Sequence, residues 1–240
     1  MLVEVCANSL QSALNAQKAG AHRIELCSEL AVGGITPSYG LLKSVRERIS
    51  IPIHILIRPR SGDFTYPADE LKIMKEDIAL CVELGFEGIV SGVLKTDFSL
   101  DIDRTEELIK ASGNLKFTFH RAFDWVKEPF ETLSQLEALN VDYILTSGQQ
   151  KSAPEGLDLL NRLHKKASTC TIMPGGGVRP TNVMDFKNGG FKAVHLSGTK
   201  FSRTLPNTSK VSMNSSSFLR DTEIAVTDSE TIVNIVNRVK

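Results

Sequence analysis

Gly20-Ala-His-Arg-Ile-Glu-Leu-Cys-Ser is a phrase that this chain repeats with variation: Gly85-Phe-Glu-Gly-Ile-Val-Ser-Gly, Asn140-Val-Asp-Tyr-Ile-Leu-Thr-Ser-Gly and Gly190-Phe-Lys-Ala-Val-His-Leu-Ser-Gly. Each copy opens on a Gly or Asn suited to the left-handed conformation that ends a helix, and passes at once into an apolar, strand-like run. The copies recur at intervals of roughly 50–65 residues, room for two strand–helix units each. Counting the runs between them, strands are expected near 3–6, 23–27, 53–58, 88–92, 116–120, 143–147, 171–175 and 193–197. Helical patterns separate them; Leu71, Met74, Ile78 and Val82, for example, recur at helical spacing between Pro67 and Gly85. Strict alternation implies a parallel α/β sheet, and eight units close it into a (β/α)8 TIM barrel, a single domain over residues 1–240. An open doubly wound sheet requires no such four-fold echo.

The echo also fixes side-chain direction. Ile24, Ile89, Ile144 and Val194 share one position, apolar each time, and should face the helices. By the two-residue period of a strand, Glu25, Val90, Leu145 and His195 then face the barrel axis, with Cys27, Gly92, Ser147 and Ser197 one layer higher. The other strands add Glu4 and Cys6, Leu56 and Arg58, Thr118 and His120 as inward pairs.

Lys plus Arg and Asp plus Glu balance at 28 each, which gives no support to a nucleic-acid partner. No apolar run is long enough for a membrane span, and no secretory leader is recognisable at Met1. Four scattered cysteines suit a reducing compartment better than a disulfide framework. The expected location is therefore the cytoplasm, with the nucleus as a second compartment, and the sequons at Asn207 and Asn214 read as chance. Residues 200–227, rich in Ser, Asn and Thr, form a long eighth βα loop, expected to lie over the barrel mouth with a hairpin of 210–213 against 223–226.

The mouth, at the C-terminal ends of the strands, is where barrels of this kind place their chemistry. Here it gathers Glu4, Glu25, Arg58, His120, Asp124 and His195, whereas barrel interiors are ordinarily filled with Val, Ile and Leu. Buried charges must be paired, either with one another, Arg58 bridging Glu4 and Glu25, or with a ligand. As a catalytic set they suit proton transfer or isomerisation on a small anionic or phosphorylated sugar-like substrate: Glu25 or Glu4 as base, His120 as acid, Arg58 as clamp. A second signal is the glycine run Gly175, Gly176, Gly177 after the seventh strand, with Ser197 and Gly198 after the eighth. These two loops either bind an anion through backbone N–H groups or need Gly for a tight turn alone. A third signal is Cys6 and Cys27, at neighbouring inward positions on adjacent strands. They read either as two small buried hydrophobes or as a soft Cu(I) site, with Arg58 helping to deprotonate them.

Six motifs in order, Arg23-Ile-Glu-Leu-Cys-Ser, Gly33-Gly-Ile-Thr-Pro-Ser, Ile57-Arg-Pro-Arg-Ser-Gly-Asp-Phe-Thr-Tyr, Phe119-His-Arg-Ala-Phe-Asp, Leu145-Thr-Ser-Gly and Met173-Pro-Gly-Gly-Gly-Val, resemble the CutC family over essentially the whole chain. Segment 209–228 resembles the longer tail of animal members. The resemblance implies a cytosolic, self-associating barrel protein of copper homeostasis, with Cu(I) held by the two cysteines that match Cys6 and Cys27. The family's inward polar set matches Glu4, Glu25, Arg58, His120, Asp124 and His195. Ser61 departs from the family, which more often has Gly there.

Overall fold

The structure, a computed structural model, describes residues 1–207, 211–212 and 221–240. Eight parallel strands form one sheet: β1 (Leu2–Ala7), β2 (Arg23–Leu26), β3 (Ile53–Leu56), β4 (Gly88–Ser91), β5 (Lys116–Phe119), β6 (Tyr143–Thr146), β7 (Thr171–Pro174) and β8 (Ala193–Leu196). Their order, β7-β6-β5-β4-β3-β2-β1-β8, curls round until Gly175 bridges His195 in parallel and joins the two ends. Strands β2 to β8 stop a residue or two before the apolar pattern does, so the topmost inward residues belong to the loops.

Between the strands run α1 (Leu10–Lys18), α2 (Tyr39–Arg48), α3 (Ala68–Glu83), α4 (Ile102–Ser112), α5 (Pro129–Ala138), α6 (Leu157–Lys166) and α7 (Val183–Asn188), and α8 (Ser229–Val239) ends the chain. Side chains of Ser9, Ser38, Asp101 and Asp228 accept hydrogen bonds from first-turn N–H groups and so fix where α1, α2, α4 and α8 begin. Gly20, Gly85, Asn140 and Gly190 all have positive φ, between 59° and 83°: the four-fold phrase is a helix stop feeding a strand. On α3 the buried stripe is Leu71, Met74, Ile78 and Cys81. Val82, expected on that stripe, is 43% exposed, because the helical period carries the buried face through position 81.

The inside–outside alternation is as the sequence implies. Ile24, Ile89, Ile144 and Val194 belong to the large apolar layer between sheet and helices. The lumen contains two separate small clusters, Cys6, Cys27, Leu56 and Val90 in one and Leu145, Met173 and Ala193 in the other. Charged and polar side chains occupy the rest.

The long eighth loop differs from expectation. Its hairpin pairs β9 (Thr199–Arg203) with β10 (Glu223–Thr227), antiparallel, so the partner of 223–226 is 200–203 and not 210–213, of which 210 and 213 lie outside the described residues. The hairpin leans on α1: Asn8 and Asn15 donate to the carbonyls of Ala225 and Thr227, and Thr227 N–H donates to Ser12 Oγ at 3.1 Å. Among the described residues no helix is long and apolar enough to cross a membrane.

Candidate functional site

Register decides who meets whom inside the barrel. Glu4 on β1 is level with Arg23 on β2 and with His195 on β8, while Cys6 is level with Glu25. Glu4 is fully buried and uses both oxygens: Oε2 accepts from Arg23 Nε at 2.5 Å, and Oε1 faces His195 Nδ1 at 2.8 Å. Burial alone would raise its carboxyl, but Arg23 and His195 outweigh that and hold it at about 2. Arg23 also lies over the ring of Tyr143, 4.1 Å from its centroid. The ion pair expected between Arg58 and the two glutamates is thus made by Arg23, and to Glu4. Arg23 follows the same two-residue period as Glu25 and Cys27, one step down, and was legible there.

Above this pair sits a thiol–carboxylate–imidazole cluster. Cys6 Sγ is 3.5 Å from Cys27 Sγ and 3.5 Å from Glu25 Oε1, and both thiols are free. Ligand atoms of Cys6, Glu25 and His195 all lie within 4.8 Å of one another. Cys27, burial and Glu25 together push the Cys6 thiol well above its ordinary value. Burial also raises the Glu25 carboxyl, whose Oε2 has no hydrogen-bond partner. His195, which burial would lower, is raised well above 6.5 by Glu25, Cys6 and Glu4. Arg58, expected to help deprotonate the thiols, spends its donors elsewhere: its Nη1 donates to the carbonyls of Val32 and Gly34 at 2.8 and 2.9 Å, and its Nη2 to that of Gly62 at 2.8 Å. Its work is to pin the loop after β2. Gly34 in that loop, at φ 87°, lies against Cys27 and Leu56 so closely that a Cβ would come within 2.7 Å of Leu56 Cδ2. The sequence reading missed Gly34, and Gly at the centre of Gly33-Gly-Ile-Thr was the available sign.

A cavity of about 1120 Å³ opens over the cluster. Cys6, Glu25 and His195 line one part, Arg58 and His120 another, and residues 176–181 with 197–199 a third. Glu4 and Cys27 are not in its wall, so Glu4, anticipated as a base, is sealed beneath with both oxygens taken. His120 accepts the Ala122 N–H at Nδ1, and burial with the nearby Arg58 charge lowers it to about 3. It is a neutral imidazole carrying its hydrogen on Nε2, poorly suited to the acid role expected of it. Gly92 makes room for this ring: a Cβ there would be 2.8 Å from His120 Nδ1. Asp124 is a fastener. Its oxygens accept from Thr146 Oγ1, from the N–H groups of Ser147 and Gln149, and from Arg121. His54, at the foot of β3, is buried in the lumen, and burial and Arg23 lower it to about 4.

A closed (β/α)8 barrel with paired thiols, a carboxylate and an imidazole beneath a cavity at its strand ends defines the class: a TIM-barrel protein whose candidate site lies at the barrel mouth. The CutC family model matches residues 1–200, and the chain belongs to the CutC family. It is similar to the family proteins CutC of Salmonella agona and Salmonella typhimurium, each 48% identical over 196 residues, 82% of this chain and 79% of the relative. It is also similar to the solved structure of CutC from Streptococcus agalactiae, a protein named for copper homeostasis, at 35% identity and TM-score 0.78, covering 82% of this chain and 98% of that one. Thiamine phosphate pyrophosphorylase from Pyrococcus furiosus, 12% identical with TM-score 0.61 over 99% of this chain and 95% of its own, shares the barrel fold. The family match ends at residue 200, ahead of the segment compared above with animal members.

Proposed function

We propose that this chain binds Cu(I) as cargo at Cys6 and Cys27 and serves copper homeostasis in the cytosol. The observation that carries the reading is the 3.5 Å approach of two unbonded thiols inside a buried cluster. Sulfur donors in a dry, low-coordination setting favour Cu(I) over harder ions. The donor set fits the ion: Glu25 Oε2 lacks a partner, and His195 and Glu25 are close enough to Cys6 to complete or tune the coordination. Copper supplies no reaction in this reading; it is carried. The thiol of Cys6 is protonated in the fold as it stands, so binding must release a proton, and Glu25, which already accepts the Cys6 hydrogen bond, is the group placed to take it. The copper homeostasis name of the Streptococcus agalactiae protein supports the same assignment. Self-association belongs to this reading on the strength of the family resemblance, whereas no observation supports the nuclear location.

The test is an anaerobic Cu(I) titration against a chromophoric competitor. Wild type is expected to take up one ion per chain, and Cys6→Ser and Cys27→Ser each to lose it. Equal uptake by all three proteins overturns the site. Light scattering of the same samples gives the number of copies associated.

A further inference from the structure

The cavity carries positive charge that its own carboxylates do not balance. Arg58 is 5% exposed, is held by neutral main-chain carbonyls and, among the described residues, has no carboxylate partner; its Nε has no acceptor at all. A buried guanidinium among neutral groups is costly unless an anion offsets it. His120 beside it, equally buried, has an unpartnered Nε2. The volume, about 1120 Å³, slightly exceeds the roughly 300–1,000 Å³ typical of small-molecule pockets and is far more than a metal ion fills.

Another part of the cavity wall has unused donors. The Gly175–His195 bridge sets the loops after β7 and β8 side by side. Among the described residues, the N–H groups of Gly177, Ser197 and Gly198 make no hydrogen bond within the chain. Arg121 reaches the same place: its Nε is bonded to Asp124 and its Nη2 to Ser147 Oγ, while its free Nη1 lies beside Gly176, 3.3 Å from where a Cβ would stand. A planar guanidinium held on two sides, with a free Nη1 beside a glycine loop that has an unpaired main-chain N–H, is an arrangement suited to an oxyanion.

We propose that the mouth binds a small molecule through an oxyanion, a phosphate or a carboxylate, seated between the loops after β7 and β8. Arg121 Nη1 and the N–H groups of Gly177, Ser197 and Gly198 are the donors, and the field of Arg58 draws the anion into the cavity. The subsite uses neither thiol and stands or falls apart from the copper reading.

The experiment follows the Gly177 and Gly198 amide resonances of the 15N-labelled full chain during titration with inorganic phosphate, acetate or chloride at matched ionic strength. It is repeated in the Cys6→Ser chain, so that loss of copper binding cannot be confused with loss of this site. Saturable shifts with phosphate alone identify a phosphate group, with acetate alone a carboxylate, and either supports the site. Arg121→Gln is expected to weaken that binding by about tenfold or more. Shifts absent with both oxyanions, matched by chloride, or unaltered in affinity by Arg121→Gln overturn the proposal. If the variant does not fold, the wild-type titration decides alone.

Discussion

Cys6 and Cys27 face each other across the β1–β2 step with sulfurs 3.5 Å apart, yet only Cys6 reaches the cavity. Cys27 is 0% exposed, covered by Gly34 and the loop that Arg58 holds down. The two thiols are therefore unequal in access. Native-state alkylation with a small reagent, followed by peptide mapping, is expected to modify Cys6 well before Cys27. Cys6 itself should react much more slowly than a free thiol, since its proton is held tightly. Faster labelling of Cys27 contradicts this geometry.

Arg58→Met removes two hydrogen bonds to the β2–α2 connection and a third to Gly62 in its own loop. The expected result is a folded protein in which Cys27 alkylation accelerates by about tenfold or more and hydrogen exchange rises in residues 29–36. Unchanged protection of both would mean that the loop is held by its own Ser28–Ile35 bridge.

The Glu4 ion pair is the most consequential charge contact in the lumen. Glu4→Gln leaves Arg23 buried without its counter-charge and His195 with Glu25 alone, and the expected loss of stability is about 3–5 kcal/mol, read from urea unfolding. Replacing Glu4 and Arg23 together by Leu and Met is expected to cost less than Glu4→Gln alone. A larger loss in the double variant would assign the stability to the pair itself.

Acid sensitivity follows from the buried imidazoles. In the unfolded chain both His54 and His120 protonate near 6.5, but in the fold only at about 4 and about 3. Their stabilising contribution is whole above pH 6.5 and is lost as the pH falls through those folded values. Glu4, depressed from 4.5 to about 2, adds to the loss below pH 4.5. His195 has the opposite sign: its pKa is raised, so its contribution is whole below 6.5 and disappears as the pH rises through its folded value. Unfolding free energy is expected to fall between pH 6.5 and 3, each imidazole contributing up to about 1.4 kcal/mol per pH unit. His120→Asn should flatten that slope, and an unaltered slope would sink the assignment.

Gly88 and Gly92 on or next to β4 are spaces for two rings. A Cβ at position 88 would lie 2.4 Å from His54 Cδ2. Gly88→Ala is expected to destabilise by about 1–3 kcal/mol, and His54→Ala to relieve most of that cost, giving a strongly non-additive pair in thermal unfolding. Additivity would exclude the clash.

The barrel was legible because its cause is local. A left-handed stop at Gly20, Gly85, Asn140 and Gly190 followed by a strand with alternating apolar residues is written in consecutive positions, and closure follows from repeating it. The inward set Glu4, Cys6, Glu25, Cys27 and His195 was legible for the same reason, the two-residue period of a strand. The hairpin register failed, since pairing of 223–226 with 200–203 rather than 210–213 depends on how the ribbon docks on α1.

What the sequence by itself determined is therefore which side chains enter the lumen. Only the tertiary structure decided their partners: Arg23 rather than Arg58 meets Glu4, Arg58 fastens a loop, His120 is neutral and Asp124 is occupied. The reason is that direction is set by backbone periodicity within one strand, whereas pairing depends on the stagger between strands and on which neighbouring carbonyls, rings and charges remain after the barrel has closed.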